Sequence, residues 1–508
     1  MQKETKSNGF QSGIGFILAT AGSAIGLGNL WSFPYKTAKY GGAAFVFMYL
    51  ISVLLIGIIV MFAEFHIGRR SKANPITCYK NTNKKMGFFG LFSVVIPFII
   101  VCYYMILGGY TVRYTASSFI ETDISTFSNN AGLVLIFTAI FVTLAVLVVM
   151  AGVKKGIENV SKVLMPALFI ILIALAVYAL FLGDGVKEGL DFYLNPKFDK
   201  LGFEGVLAAM SQAFFSLSLG MGIMVSYGSY AGKEIKVGKS MVMICVFDSL
   251  VALLAGLMIF PSAFHFDPNI DLKSLNGITL MFTILPQIFE SLGGFGIVVS
   301  VFFFAMVVIA ALTSVISLLE VVTQFVIQKF KAKRKKAILI VSIVCFLLSI
   351  PISISLGKAL VGEEAMQIFG NNYLDFLDLI TNVVLMPIGA LGACIAVGYF
   401  LKDLKGKKAF NPKLLNETLK EEGLDLKKFG NIFAFMVKFI TPLLIIFVEI
   451  FGIIDITFPK NELGNRVFSL NGLGTVLISV VIFAIIIIVY FFVLKDKETG
   501  YNRDEENS

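Results

Sequence analysis

Stretches of about 20 apolar residues, each long enough to cross the hydrocarbon of a bilayer as a helix, recur from one end of this chain to the other. They lie near 13–36, 42–67, 88–120, 131–151, 160–182, 206–231, 238–265, 292–328, 336–357, 374–401, 431–456 and 473–495. Short polar connections separate them, so the chain reads as one all-α integral membrane domain over 1–508. Of the 508 residues, 57% are apolar and 15% charged. A soluble domain with so few charges could not cover that much apolar surface, whereas lipid solvates it. The first apolar run begins near Gly13 and lacks a small-residue cleavage pattern, so it is expected to be a retained span.

The formal charge of +9 is spread in clusters between the runs. Arg69, Arg70, Lys72, Lys80, Lys84 and Lys85 form one cluster. Lys154, Lys155 and Lys162 form the next, then Lys233, Lys236 and Lys239, then Lys329 to Lys336, then Lys402 to Lys428. With twelve spans, all these connections fall on one side of the membrane. The positive-inside rule makes that side and both termini cytoplasmic, in the cell membrane. The opposite connections carry Glu121, Asp123, Asp184, Asp191, Asp267, Asp271, Glu363 and Glu364. A dispersed basic balance of this kind excludes a nucleic-acid partner. The five cysteines are far apart in sequence and read as reduced core residues. His66 and His265 are too isolated for a zinc site or a catalytic triad.

Two spans are irregular. The first contains Gly22, Gly26, Gly28, Asn29 and Pro34 in ATAGSAIGLGNLWSFPY. The sixth contains Ser216, Ser218, Gly220 and Gly222 in FFSLSLGMG. Small residues also allow close helix packing, which accounts for one such stretch. Two of them, five spans apart, point instead to a 5+5 inverted repeat whose helices 1 and 6 are discontinuous. Residues 13–231 then hold the first repeat and the start of the second, and 206–401 hold the second repeat. Residues 431–495 form two accessory helices and 496–508 a cytoplasmic tail.

Unwinding a helix where no water reaches leaves orphaned carbonyls and amides, each costly unless paired. Carbonyls suit a desolvated cation, while amides and the positive end of a half-helix suit a carboxylate. An amino acid taken up with sodium satisfies both. Asp248 lies about ten residues into an apolar run, where a charge costs roughly 2.5–3.5 kcal/mol or more. It reads as a cation ligand, the plainer alternative being an acid hydrogen-bonded within the bundle. The adjacent Thr313 and Ser314 add hydroxyl oxygens, although such residues also bond back to their own helix. Glu64 and Glu320 read as structural partners for freed backbone or basic groups. Tyr103 reads as core, and Tyr104 as a polar tip able to cover a bound carboxylate.

These motifs, GSAIGLGNLWSFPY and FFSLSLGMG above all, resemble the neurotransmitter:sodium symporters, in particular their bacterial leucine-transporter-like amino-acid branch. The similarity runs from about Phe10 to the last span. It implies two sodium sites. The first takes the Ala24 carbonyl, the Asn29 side chain, Ser216, Asp248 and the substrate carboxylate. The second takes carbonyls at Gly22, Ile25 and Ala310 with the hydroxyls of Thr313 and Ser314. The substrate carboxylate is expected at the Leu27 and Gly28 amides and the Tyr104 hydroxyl. Its amine is expected at carbonyls near Ala24, Phe215 and Ser218, with Gly26 and Ser216 alongside. Ile100, Phe215, Ser218, Met221, Ser314 and Leu318 line the side-chain pocket, an apolar set that favours an apolar amino acid. Animal members of the family need chloride. Here Asp248 supplies the negative charge and Ala252 cannot bind an anion, so no chloride requirement is expected.

The gates depart from the family pattern. Asp378 is present, but Ser32 stands where relatives carry the arginine that pairs with it. Ser7 and Gln328 replace both members of the usual inner pair, while Ser229 and Tyr230, which brace that gate, are retained. Tyr104 and Phe215 are expected to close the outer side by hydrogen bonding and ring packing. The implied function is sodium-coupled amino-acid import. A carrier of another small amine, or a sensor or channel of the same fold that no longer couples transport, is the rival reading. An intramembrane enzyme is not, because no histidine pair, serine dyad or metal cluster is visible.

Overall fold

A computed structural model describes residues 9–117, 124–268, 270, 280–360, 366–400, 412–426, 429–459 and 466–494. Ser7, the acids at 121, 123, 271, 363 and 364, much of the basic 402–428 connection and the 496–508 tail lie outside the described residues.

Ten continuous helices in the described residues are long and apolar enough to cross a membrane. They are Ala43–Ser71, Lys84–Ala116, Ala131–Met150, Val153–Ala179, Val237–Phe266, Gly294–Phe330, Arg334–Leu360, Tyr373–Phe400, Gly430–Thr457 and Leu470–Phe491. An eleventh span is Gly13–Ala24 followed by Gly28–Lys39, bent by 47°. A twelfth is the sixth in chain order, made of Gly202–Ser216 and Ile223–Tyr230. The predicted discontinuities therefore fall in the first and sixth spans. Five crossings separate their starts, and an odd number of crossings turns the second set of five upside down relative to the first. The two spans after Phe400 stand outside both sets.

Local chemistry sets the boundaries. Ser12, Asn130 and Ser469 each accept a backbone amide at the start of a span, which satisfies donors that helix geometry leaves open. The fifth span starts earlier than its apolar run suggests. After Gly152 (φ +86°) the chain winds Val153–Glu158 as a π-helical turn that carries Lys154 and Lys155. The spans sort radially. Ile140, Leu147, Ile170, Ile343, Leu443, Ile450 and Leu477 are exposed, as lipid-facing residues must be. Ile96, Val101, Tyr103 and Met105 of the third span are buried.

Short elements pack on both ends. Helix Val186–Leu194 lies on the seventh span, where the Tyr193 hydroxyl donates to the Leu253 carbonyl at 3.0 Å. A two-rung hairpin pairs Gln367 with Asn372 and Ile368 with Asn371 before the tenth span. Helix Pro412–Glu421 buries Leu415 and Leu419. Just beyond it, Glu422 pairs with Arg69 at 3.0 Å and accepts the Gly238 amide on its carbonyl.

Candidate functional site

The first span breaks because its amides find better partners than their own helix. The Gly26 amide, which a continuous helix would turn to Gly22, donates to Asn29 Oδ1 at 3.3 Å. The Leu27 amide, due at Ser23, donates to the Tyr104 hydroxyl at 3.1 Å. The Asn29 amide, due at Ile25, turns back to the Gly26 carbonyl. Three carbonyls are thereby released in a buried stretch. That of Ser23 is answered by the hydroxyls of Ser218 (2.9 Å) and Ser314 (3.2 Å).

The sixth span breaks through its backbone angles. Ser218, Gly220 and Gly222 all have φ near +50 to +80°, a region glycine enters freely and serine at a cost. A Cβ on Gly220 would meet the Met386 carbonyl oxygen at 2.1 Å. The orphaned Gly220 amide is taken by Glu64 Oε1 at 3.0 Å. Glu64 is thus the structural partner of freed backbone that its position suggested.

Between the breaks, four spans contribute to one knot of buried side chains. Asn29 Nδ2 donates to Ser216 Oγ (3.0 Å), to Asp248 Oδ1 (2.9 Å) and to the Asp248 carbonyl (3.0 Å). Ser216 donates to Asp248 Oδ2 at 2.7 Å, and the Tyr49 hydroxyl donates to the same oxygen at 2.9 Å. Asn29, Ser216 and Asp248 were expected together; Tyr49, from the second span, was not. Ala24 is the last residue of the inner half-helix and is buried alongside. The set is all oxygen and amide, the donor chemistry of a hard cation.

Part of the second predicted cation set is brought together. Gly22 faces the eighth span, where a Cβ on it would lie 3.3 Å from Thr313 Cβ. Thr313 donates to its own helix at Ile309 and Ala310, while Ser314 crosses to the first span. Ile25 and Ala310 are fully buried. A Cβ on Gly26 would sit 2.3 Å from Ser314 Oγ and 2.9 Å from the Tyr104 hydroxyl. One on Gly28 would sit 3.2 Å from the Phe215 ring. The unwound segment is therefore touched by the third, sixth and eighth spans. Ile100, Met221 and Leu318 are buried on those same three spans.

Both ends of the site contain contacts that the sequence did not reveal. On one side Asp378 Oδ1 accepts the Tyr103 hydroxyl at 3.0 Å and Asn382 Nδ2 at 2.6 Å. Tyr103 is thus a polar anchor as well as core. Ser32 Oγ and Lys36 Nζ both donate to Gln212 Oε1 at 2.9 Å, and Gln212 Nε2 donates to the Gly28 carbonyl at 2.8 Å. Gln212 had a sequence signal, a polar residue one turn before Ser216 on the same face. Tyr104 and Phe215 touch the unwound segment, but no ring contact joins them among the described residues.

On the other side, where the resemblance leads one to expect an inner gate, charge is carried by a different pair. Glu320, fully buried, pairs with Arg334 and accepts the Tyr230 hydroxyl at 2.7 Å. Arg334 also donates to the Val149 carbonyl. Gln324 Nε2 donates to Ser229 Oγ at 3.0 Å, and Gln328 accepts the Asn74 amide at 2.7 Å. The Phe10 amide donates to the Tyr230 carbonyl. Glu158 of the fifth span accepts the Gln11 amide (2.7 Å), the Ser12 hydroxyl (2.8 Å) and Lys162 (2.7 Å).

Comparison with known proteins identifies the family. A model of the sodium:neurotransmitter symporter family matches residues 7–130 and 122–499. The chain is 36% identical over 469 residues to the sodium-dependent transporter YhdH of Bacillus subtilis, covering 89% of this chain and 99% of that one. It is 28% identical over 292 residues to the rat sodium-dependent neutral amino acid transporter B(0)AT2, covering 49% of this chain and 40% of the rat protein. Among solved structures it is similar to MhsT in complex with L-phenylalanine. The TM-score is 0.78 and the identity 36%, with 87% of this chain and 99% of MhsT covered.

Proposed function

The chain belongs to the sodium:neurotransmitter symporter family and is a sodium-dependent, multi-pass membrane transporter; from that premise we propose that it imports an apolar amino acid together with sodium by alternating access, without chloride. The observation that carries this reading is the knot of Asn29, Ser216, Tyr49 and Asp248 beside the released backbone of the first span.

In this proposal sodium is co-substrate at two sites. The first uses the Ala24 carbonyl, Asn29, Ser216 and Asp248 and shares its ion with the amino-acid carboxylate. The second uses Gly22, Ile25 and Ala310 carbonyls with Thr313 and Ser314. The carboxylate rests on the Leu27 and Gly28 amides and the Tyr104 hydroxyl. The amine faces carbonyls near Ala24, Phe215 and Ser218, and the side chain lies among Ile100, Met221 and Leu318. The carboxylate completing the first ion's shell is the physical basis of coupling, since neither solute is fully satisfied alone. The names of B(0)AT2 and of the phenylalanine-bound MhsT structure support an apolar, neutral substrate for this chain.

The positive-inside bias of the connections supports cytoplasmic termini, and in this reading the Tyr103–Asp378 side is external and the Glu320–Arg334 side internal. Each net charge carried inward is worth ~2.3 kcal/mol per 100 mV, a concentrating factor of about 40 at ~1.4 kcal/mol per tenfold.

A thermal-shift screen of the twenty amino acids, with sodium or with potassium, tests the reading. A neutral, apolar amino acid should raise the melting temperature only when sodium is present. Stabilisation by none of them, or equally in potassium, would refute it. Uptake in proteoliposomes should be the same in chloride and in gluconate, and a fall in gluconate would overturn chloride independence.

A further inference from the structure

We propose that Lys36 is the outer-gate cation of this transporter, placed one helical turn outward from the position where the family carries its arginine. The inference rests on the transport reading above and concerns how the extracellular side closes.

The observation begins with Ser32. A serine there removes the charge expected opposite Asp378, yet Asp378 is conspicuously prepared for a partner. The Tyr103 hydroxyl from the third span and Asn382 from its own helix fix the carboxylate from two directions. Lys36 lies four residues after Ser32 in the outer half of the first span, Phe33–Lys39. Residues four apart share a helix face. A long helical side chain also leans toward the N-terminus, over the turn before its own Cα. The Lys36 stem therefore runs back across Ser32, whose small side chain leaves that space open. The outcome is visible at Gln212, where one oxygen receives both Ser32 Oγ and Lys36 Nζ at 2.9 Å. A hydroxyl and an ammonium from adjacent turns thus take up the donors that one guanidinium would supply. The ammonium also lies within electrostatic range of Asp378.

The position of Lys36 suits a gate. Its helix belongs to the first span, Gln212 to the sixth and Asp378 to the tenth. Gln212 in turn donates to the Gly28 carbonyl, next to the amides expected to hold substrate. The hydrogen bonds Gly28–Gln212–Lys36 therefore tie the substrate-facing linker to the one cation that the proposal sets against Asp378 of the tenth span. Lysine is a point charge on a flexible stem and lacks the planar fork of arginine, so this gate holds by charge and reach without bidentate geometry.

The test uses the full-length protein in proteoliposomes and the amino acid that stabilises the wild-type chain most in the thermal-shift screen. Lys36→Met and Lys36→Gln should each lower the maximal uptake rate at least tenfold, with sodium-dependent binding within threefold of wild type. Lys36→Arg should keep most of the rate. Adding Ser32→Arg to Lys36→Met should recover it at least fivefold, because the charge returns to Asp378 from the neighbouring turn. A merely structural lysine would not be rescued by a cation placed elsewhere. Wild-type rates in both Lys36→Met and Lys36→Gln would overturn the assignment, as would failure of Ser32→Arg to rescue a variant that still binds. If the wild-type chain itself shows no sodium-dependent binding, the transport reading fails first, and that result is distinct from any of these.

Discussion

The two interrupted spans reach similar outcomes by different means. In the first, the backbone after Ala24 departs from the helix because Asn29 and Tyr104 capture the Gly26 and Leu27 amides. Ile25 turns extended (φ −74°, ψ 95°) and Leu27 keeps right-handed angles (φ −60°, ψ −19°), conformations open to any residue. In the sixth, three left-handed residues between Ser216 and Ile223 make a helix impossible whatever the side chains do. One break is written in competing hydrogen bonds and the other in left-handed backbone angles. A break of the first kind is adjustable, since its bonds can be exchanged for an ion or a carboxylate. One of the second kind is a fixed corner.

This contrast makes graded predictions. Gly220→Ala should do the most damage. Its Cβ would collide with the Met386 carbonyl oxygen, and its φ of +79° disfavours any side chain. Strain of this sort costs about 1–3 kcal/mol before the collision is counted. The variant should lose most of its folded yield, measured as monodisperse protein in detergent. A normal yield would show that the corner is adjustable after all.

Asn29→Ala comes next. It frees the Gly26 amide to return to the Gly22 carbonyl and leaves Asp248 with two hydroxyl donors. The protein should fold, because the first break is not fixed by backbone angle, but sodium affinity in the thermal-shift assay should fall at least tenfold. Unchanged affinity would detach Asn29 from the ion. Tyr104→Phe removes the acceptor on the Leu27 amide, a loss of about 1–3 kcal/mol for a buried donor left unpaired. It should raise the KM for uptake roughly tenfold, with little change in sodium dependence. Ser218→Gly should be the mildest. Glycine fits φ +53°, which offsets the hydrogen bond lost to the Ser23 carbonyl, so uptake should stay within about threefold of wild type.

The contrast also marks what could be read from sequence. Glycines and a serine at Ser218–Gly222, and Asn29 in an otherwise apolar run, are local signals, so both breaks were legible. Asp248 was legible because an acid at that depth needs a reason. Tyr49, Lys36 and the pairing of Arg334 with Glu320 were not. Each depends on which spans become neighbours, and apolar periodicity says which face meets lipid without saying which helix lies opposite. Tyr103 shows the same limit. As one of two adjacent tyrosines in a buried span it looked like packing, and only the approach of the tenth span gives its hydroxyl an acceptor in Asp378.

In the proposed cycle, the clasp of Glu158 on Gln11 and Ser12 would bear on how long cargo stays bound. The inner half of the first span, Gly13–Ala24, is a rod of twelve residues, about 18 Å long at 1.5 Å per residue. It is jointed at its unwound end and fastened by Glu158 at the other. A tilt of only about 10° at the joint carries the far tip about 3 Å, several times the stretch of under about 1 Å at which a hydrogen bond is lost. In the proposed cycle the dwell time of the load would be timed by a latch at the cytoplasmic tip of that rod, a full rod's length from the berth it unloads.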